Sequence, residues 1–368
     1  MKKIVEEFLE LVKINSNTRN ERAMADTLAR KLEALGCNVT EDNVGSKIGG
    51  NAGNLYAVLP GTIPGSVLLT AHMDRVPNGE NIVPVIHDGM ITSEGDTILA
   101  ADDLAGVCAI LDCLRRLKEE NTPHCTVEVL FTVSEEVGLA GSRNMDYSMI
   151  RSKCAYVFDS SGRIGRIINS APSKADIKID IYGKTAHAGN EPEKGIDAAK
   201  AAGLILAEVP SGRLDEDSVS NFPIIRTNAT ATNVVCDHAS IIGEARSRVH
   251  QKLEDYLKDT ERTIRCIAER TGSQIEVDFY MDVYAFHIPE EHTVIRSAVQ
   301  AMDELNITAQ VTPGGGCMDA NWFNKNGIHA VGLATGYLAN HTSNECIYIE
   351  DLELSGQLAE KIVRVNSK

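Results

Sequence analysis

The sequence predicts an α/β protein whose main domain has a central mixed sheet between helices and is interrupted by a smaller α+β domain. Three observations lead to this fold class. The chain has 368 residues, more than one hydrophobic core usually covers, so we expect two domains. Short apolar runs alternate with amphipathic helices in both terminal parts of the chain. A middle segment instead contains strictly alternating strands.

The N-terminal part has the elements expected of an α/β domain. Residues 1–15 carry acidic residues at helical spacing, and residues 20–35 predict a second helix with Asn20 as its N-cap and Gly36 at its end. Buried strands are predicted at four apolar runs: AGNLYAVL, SVLLTAH, VEVLFTVS and CAYVFDS. These runs lack polar alternation, as strands covered on both faces do. A helix over 104–118 lies between two of them.

The pattern changes after Pro172. In KADIKIDIYG, the isoleucines at 177, 179 and 181 alternate with polar residues, which is typical of a strand with one face in water. The order β-α-β-β-α-β that follows is that of a ferredoxin-like sandwich. From residue 289 the α/β pattern returns. We therefore predict a main domain at 1–172 and 289–368, with an inserted domain at 173–288.

The composition excludes several classes of partner and location. Asp and Glu number 52 against 36 Lys and Arg, a formal net charge of −16. Such a chain repels nucleic acid and anionic membranes, so neither is an expected partner. The nine cysteines are scattered, which favours free thiols in a reducing compartment. No signal peptide or membrane span is recognisable, so we expect a cytoplasmic protein.

Metal-ligating residue types follow several of the predicted strands or begin a helix. Taken singly, each has an ordinary explanation, such as helix capping for the aspartate at position 102. The joint pattern comprises His72, Asp102, Glu136, Asp159 and His341. Two histidines and three carboxylates suffice for two divalent cations that share one carboxylate. Such nitrogen and oxygen ligands suit zinc, with cobalt or manganese as possible substitutes.

Several motifs resemble the di-zinc metallo-exopeptidases, a family that includes peptidase T, bacterial glutamate carboxypeptidase, aminoacylase and succinyl-diaminopimelate desuccinylase. The segments that carry the resemblance are HMD, ADD-x-AG, SEE-x-G, GKTAHAG, GGG-x-x-DAN and HTSNE, together with the strand-end Asp159. They occur in the family's order over nearly the whole chain, which looks most similar to the peptidase T-like branch. The resemblance implies two zinc ions per subunit.

The resemblance also implies a ligand set. His72 and Asp159 would bind one zinc ion, and Glu136 and His341 would bind the other. Asp102 would bridge both ions, and the peptide bond that follows it is expected to be cis. Asp74 would orient His72.

Catalytic and substrate-binding roles come from the same resemblance. Glu135 would be the general base for a metal-bridged hydroxide that attacks the scissile carbonyl. His187 would reach the active site of a partner subunit and stabilise the oxyanion, which implies a homodimer formed through an inserted lid and dimerisation domain. Asn233 and Arg246 match positions that hold the substrate. Gly315, in a glycine triplet, would let the ligand approach the backbone closely. The alternative for His187 is an ordinary histidine in a surface loop. The alternative for Arg246 is an ordinary ion pair on a strand.

Two positions depart from the family pattern. Leu104 stands where the family often has lysine, and Asp159 stands where carboxypeptidase-like members have glutamate. Aspartate at position 159 is the pattern of aminopeptidase-type members. We therefore expect a metal-dependent exopeptidase of tripeptidase or aminopeptidase type that acts on short peptides. A related amidohydrolase that deacylates N-acyl amino acids is the alternative, and a catalytically silent metal- or peptide-binding protein is a third hypothesis.

Overall fold

The computed structural model describes residues 2–367, which form two compact units. The larger unit contains the chain up to Ala171 and again from His287 onward. The second unit is Pro172–Phe286.

The described residues contain helices and strands in the following order. The α-helices are α1 (Lys3–Leu11), α2 (Arg22–Leu35), α3 (Val44–Ile48), α4 (Ala101–Glu120), α5 (Ala140–Asn144), α6 (Ala198–Glu208), α7 (His250–Thr271), α8 (Thr293–Asp303), α9 (Ala320–Lys325) and α10 (Ile349–Val365). The strands are β1 (Asn38–Glu41), β2 (Leu55–Leu59), β3 (Ser66–His72), β4 (Pro84–His87), β5 (Met90–Ser93), β6 (Thr126–Thr132), β7 (Cys154–Ser160), β8 (Arg166–Ala171), β9 (Ser173–Tyr182), β10 (Gly212–Arg213), β11 (Ser218–Thr227), β12 (His238–Ser247), β13 (Gln274–Val283), β14 (Phe286–His287), β15 (Gln310–Pro313), β16 (His329–Ala334), β17 (Tyr337–Leu338) and β18 (Cys346–Tyr348).

A nine-stranded mixed sheet is the centre of the larger unit. Its order is β1-β2-β6-β3-β7-β16-β8-β14, and β15 also pairs with β8. The four strands β6, β3, β7 and β16 run parallel to one another. Their apolar residues, such as Leu68 and Leu69, are fully buried, which is why these runs lack polar alternation. The carboxyl ends of these parallel strands therefore meet at one edge of the sheet.

Helices cover this sheet. Helix α4 packs on β3 and β7 and also contacts α1 and α10, while α9 packs on β7 and β16. A separate four-stranded sheet has the order β17-β18-β5-β4. All nine cysteines are free. Among the described helices, none combines the length and the apolar character that crossing a membrane requires.

The smaller unit is a ferredoxin-like sandwich. Its antiparallel sheet has the order β10-β11-β12-β9-β13, and helices α6 and α7 contribute to the same apolar core. On β9, the side chains of Ile177, Ile179 and Ile181 are fully buried, and the residues between them are more exposed. The predicted alternation is thus confirmed. The two-residue strand β10 extends the sheet at one edge.

Candidate active site

The candidate site lies where the parallel strands of the large sheet end. His72 is the last residue of β3, and Asp159 is the penultimate residue of β7. Glu135 and Glu136 follow β6 in a short 3₁₀ turn, and His341 follows β16 and β17. Because these strands run parallel, their carboxyl ends bring the side chains together.

Asp102 lies between two groups of these side chains. Its Oδ1 atom is 3.1 Å from Nε2 of His72, and its Oδ2 atom is 3.2 Å from Nε2 of His341. Oδ1 of Asp159 is 3.9 Å from Nε2 of His72, and Oε1 of Glu136 is 3.1 Å from Nε2 of His341. The result is two ligand groups that share one carboxylate, with the donor atoms of each group within 4.8 Å of one another.

The donor set fits two divalent cations. Ligand atoms about 2.0–2.1 Å from a tetrahedral zinc ion lie about 3.3 Å apart, close to the spacing between the Asp102 oxygens and the two histidines. The two oxygens of Asp102 face different histidines, as a bridging carboxylate requires. The peptide bond between Asp102 and Asp103 is cis, as the family resemblance implied.

Burial and hydrogen bonds shift the pKa values of several groups in this site. Burial raises the pKa of Asp159 to about 7 and that of Glu135 well above its ordinary value. Burial also opposes ionisation of Asp102, but hydrogen bonds from His341 and His72 outweigh it and lower the pKa. Hydrogen bonds to Asp102 and Glu136 raise the pKa of His341 to about 10. Such a cluster of buried carboxylates attracts cations.

Asp74 contacts both His72 and the turn that contains Glu135 and Glu136. Nδ1 of His72 lies 3.1 Å from the backbone carbonyl oxygen of Asp74 and 3.4 Å from its Oδ1 atom, so Asp74 contacts this ring through both groups. The same side chain accepts backbone hydrogen bonds from the N–H groups of Glu135 at 2.9 Å and Glu136 at 3.3 Å. Thr18 donates a further hydrogen bond to it at 2.8 Å. Asp74 therefore ties the end of β3 to the turn after β6.

These side chains open into a cleft in the larger unit with a volume of about 410 Å³. Its lining consists of Asp102, Glu135, Glu136, Asp159, Ser160, Ser161, Arg166, Ile168, Gly314, Gly315, Gly316, Cys317, Met318, Tyr337, Asn340 and His341. The predicted Gly315 is among them, and a Cβ atom added there meets nothing within 4 Å. Leu104, the departure from the family pattern, is a buried core residue.

Two buried glutamates that the sequence interpretation did not single out hold the loops of the site. Glu345 accepts backbone hydrogen bonds from Leu99 at 2.8 Å, Ala100 at 2.9 Å and Asp102 at 2.9 Å. Glu21 accepts hydrogen bonds from both the N–H and the hydroxyl of Ser134, at 3.0 and 2.9 Å.

These glutamates hold turns with unusual backbone angles. Ala100 and Ser134 are non-glycine residues in the left-handed region, with φ of 58° and 53°. Such conformations persist only where surrounding contacts fix them. Glu345 belongs to the HTSNE motif, so its sequence position was a usable signal. Glu21 carried no local signal, because its partner is more than one hundred residues away along the chain.

Two further polar side chains contact the proposed ligands directly. Asn340 donates to Oδ2 of Asp102 at 2.7 Å, and the Tyr337 hydroxyl donates to Oδ1 of Asp159 at 3.0 Å. Asn340 adjoins His341 in sequence, whereas Tyr337 had no recognisable pattern. Both restrict the orientation of a carboxylate that faces the cleft.

Residues 68–364 match the model of the peptidase family M20/M25/M40. The chain belongs to this family. A crystal structure of aminopeptidase PepT from Bacillus cereus ATCC 10987 is 38% identical, with a TM-score of 0.95 over 100% of this chain and 98% of that one. A tripeptidase from Staphylococcus aureus is 32% identical, with a TM-score of 0.95 over 99% of this chain and 98% of that one.

A more distant M20 structure shares the fold. The Bacillus subtilis protein, described as a dinuclear metal-binding peptidase, is 19% identical, with a TM-score of 0.75 over 99% of this chain and 97% of that one. These similarities confirm the predicted α/β fold with its mixed central sheet. They also confirm the resemblance to metallo-exopeptidases and to the peptidase T-like branch.

The remaining candidate residues of this M20 family member lie in the smaller unit. Nδ1 of His187 accepts backbone hydrogen bonds from Gly189 and Asn190, at 3.2 and 3.1 Å. The carbonyl of Asn233 accepts from the N–H of Ala188 at 3.0 Å, so His187 and Asn233 lie on neighbouring segments. Arg246 lies on β12, where its Nε atom is 2.8 Å from Oε1 of Glu244.

Proposed function

We propose that this protein is a metal-dependent aminopeptidase of tripeptidase type, which releases the first residue of short peptides. The observation that carries the proposal is the placement of Asp102 between His72 and His341, with a further carboxylate beside each histidine. The similarity to an aminopeptidase and a tripeptidase, at 38% and 32% identity, supports the choice of substrate.

The proposed metal ligands form two groups. His72 and Asp159 would hold one cation, Glu136 and His341 the other, and Asp102 both. We propose zinc, and the same ligands also accept cobalt or manganese. The chemistry that such a pair supplies when bound is a water of lowered pKa and a polarised carbonyl.

Glu135 is the proposed general base. Its carboxyl lies among the ligands, and His72, Glu135 and Glu136 form a third close group of donor atoms. Burial raises the pKa of Glu135, which makes its carboxylate a stronger proton acceptor for the attacking water. It then returns the proton to the leaving amine. Asp74 positions Glu135 through the backbone N–H, which fixes where the turn presents its side chain.

The smaller unit is proposed to complete the site in a homodimer. The two N–H groups that bind Nδ1 of His187 orient its ring, so that Nε2 is the atom available to an oxyanion in a partner subunit. Asn233 and Arg246 would bind the substrate. The Glu244 ion pair of Arg246 is also what an ordinary strand residue makes. Full activity of a monomer in sedimentation and kinetic assays would refute the shared site.

A substrate panel tests the proposed activity. We expect metal-loaded protein to hydrolyse tripeptides, to leave N-acetyl and N-succinyl amino acids intact, and to lose activity with a chelator. Hydrolysis of the blocked amino acids alone would establish the amidohydrolase alternative instead. Two bound ions without hydrolysis of either class would indicate a silent binding protein.

A further inference from the structure

Among the described residues that line the cleft, Arg166 is the single arginine or lysine, and the acidic residues there are Asp102, Glu135, Glu136 and Asp159. It is the first residue of β8 and is partly buried. Among residues 2–367 it forms no ion pair, although the cleft is rich in carboxylates. A partly buried cation without an anionic partner is costly unless a ligand supplies the anion.

The Arg166 guanidinium is held in place by two hydrogen bonds. Nε donates to Oγ1 of Thr312 at 3.1 Å, and Nη1 donates to the carbonyl of Ser161 at 3.4 Å. An arginine has five N–H donors, so these bonds leave three of them for a ligand. A pre-oriented planar fork is the arrangement that binds a carboxylate with two parallel hydrogen bonds.

In the same cleft, the protein's own backbone is accessible to a ligand. Gly315 and Gly316 line it, and a Cβ atom at either position meets nothing within 4 Å. An extended peptide is thereby able to approach these residues without contacting a side chain. A volume of about 410 Å³ accommodates a short peptide rather than a folded chain.

We infer that Arg166 binds a carboxylate of the peptide substrate and so determines specificity. The inference rests on the proposed function. A short peptide carries this group either at its C-terminus or on an acidic first residue. A fixed guanidinium in the cleft attracts either carboxylate.

Two matched substrate pairs distinguish these sources: Ala-Ala-Ala against its C-terminal amide, and Glu-Ala-Ala against Gln-Ala-Ala. We expect Arg166→Gln to affect one of the two pairs. Within that pair, kcat/KM should fall about 10- to 100-fold for the carboxylate-bearing peptide and change less than about threefold for the neutral peptide. Arg166→Lys, which keeps the charge but loses the planar fork, should retain part of the selectivity. Arg30→Gln, on the exposed surface of α2, removes the same charge away from the cleft and should change neither ratio.

The outcomes separate this inference from the proposed function. Equal losses on all four peptides, or none, would overturn the assignment of Arg166 while leaving peptide hydrolysis established. If Arg166→Gln fails to fold by circular dichroism, the acid-to-amide and Glu-to-Gln ratios of Arg166→Lys decide instead. If the metal-loaded wild type hydrolyses none of the peptides, the proposed function itself fails and this inference fails with it.

Discussion

Substitution of Glu345 tests how the fold positions the candidate metal ligands. Its carboxylate is almost fully buried and accepts three backbone hydrogen bonds, one of them from the N–H of Asp102. Glu345→Gln replaces one acceptor oxygen by an NH₂ group of nearly the same size. Because Oε1 accepts from Asp102 and Oε2 from Leu99 and Ala100, the amide nitrogen must face at least one buried N–H group.

The magnitude follows from these contacts. Leaving one buried N–H without an acceptor costs about 1–3 kcal/mol, so Glu345→Gln should lower the free energy of unfolding by that amount. Glu345→Ala removes all three acceptors and should cost at least about 3 kcal/mol. Loss of a contact that orients a metal ligand typically weakens metal binding about 10- to 100-fold, which is our expectation for zinc affinity in Glu345→Gln.

The assay has two readouts at pH 8, above the pKa of about 7 to which burial raises Glu345. Urea unfolding of metal-free protein measures stability, and calorimetric titration with zinc measures affinity. Glu33→Gln, an exposed carboxylate on α2, is the matched control. A Glu345→Gln protein that binds zinc within about twofold of wild type would refute the positioning role.

Three other substitutions test the general base, the packing of α4 and the core of the smaller unit. Glu135→Gln should reduce kcat about 10²- to 10⁴-fold with unchanged metal content, and near-wild-type turnover would exclude it as the base. Gly106→Ala places a Cβ 2.1 Å from the carbonyl oxygen of Phe158, so it should destabilise the protein to urea by about 1–3 kcal/mol. Gly203→Ala, where a Cβ meets nothing within 4 Å, should not. Ile179→Ala, in the buried core of the smaller unit, should cost about 2–5 kcal/mol, whereas Ile225→Ala, 51% exposed, should be nearly neutral in the same experiment.

The sequence was most informative where local pattern and burial agree. The apolar runs predicted as strands are the parallel strands β3, β6 and β7. His72 and Asp159 lie at the ends of β3 and β7, and Glu136 lies in the turn after β6. Gly36 ends α2, as predicted, and it adopts the left-handed conformation. In these cases the periodicity of a single segment contains the information that fixes its structure.

The local pattern gave a wrong prediction where a side chain hydrogen-bonds to a residue far away along the chain. Asn20 was predicted to cap α2, but the N-cap is Glu21. The side chain of Asn20 accepts a hydrogen bond from Asn51, and the carboxylate of Glu21 binds Ser134. Glu345 lies in the HTSNE motif, but its three hydrogen-bond partners lie more than two hundred residues earlier in the chain, so the motif alone does not indicate which loop it holds.

We propose that five residues hold a pair of divalent cations, with Asp102 shared between the two ions. Diffraction from zinc-loaded crystals, recorded on both sides of the zinc absorption edge, tests it most directly. We expect two anomalous peaks roughly 3.5–4 Å apart, with one oxygen of Asp102 bound to each. A single peak, or two peaks that Asp102 does not join, would rule out a shared two-metal site.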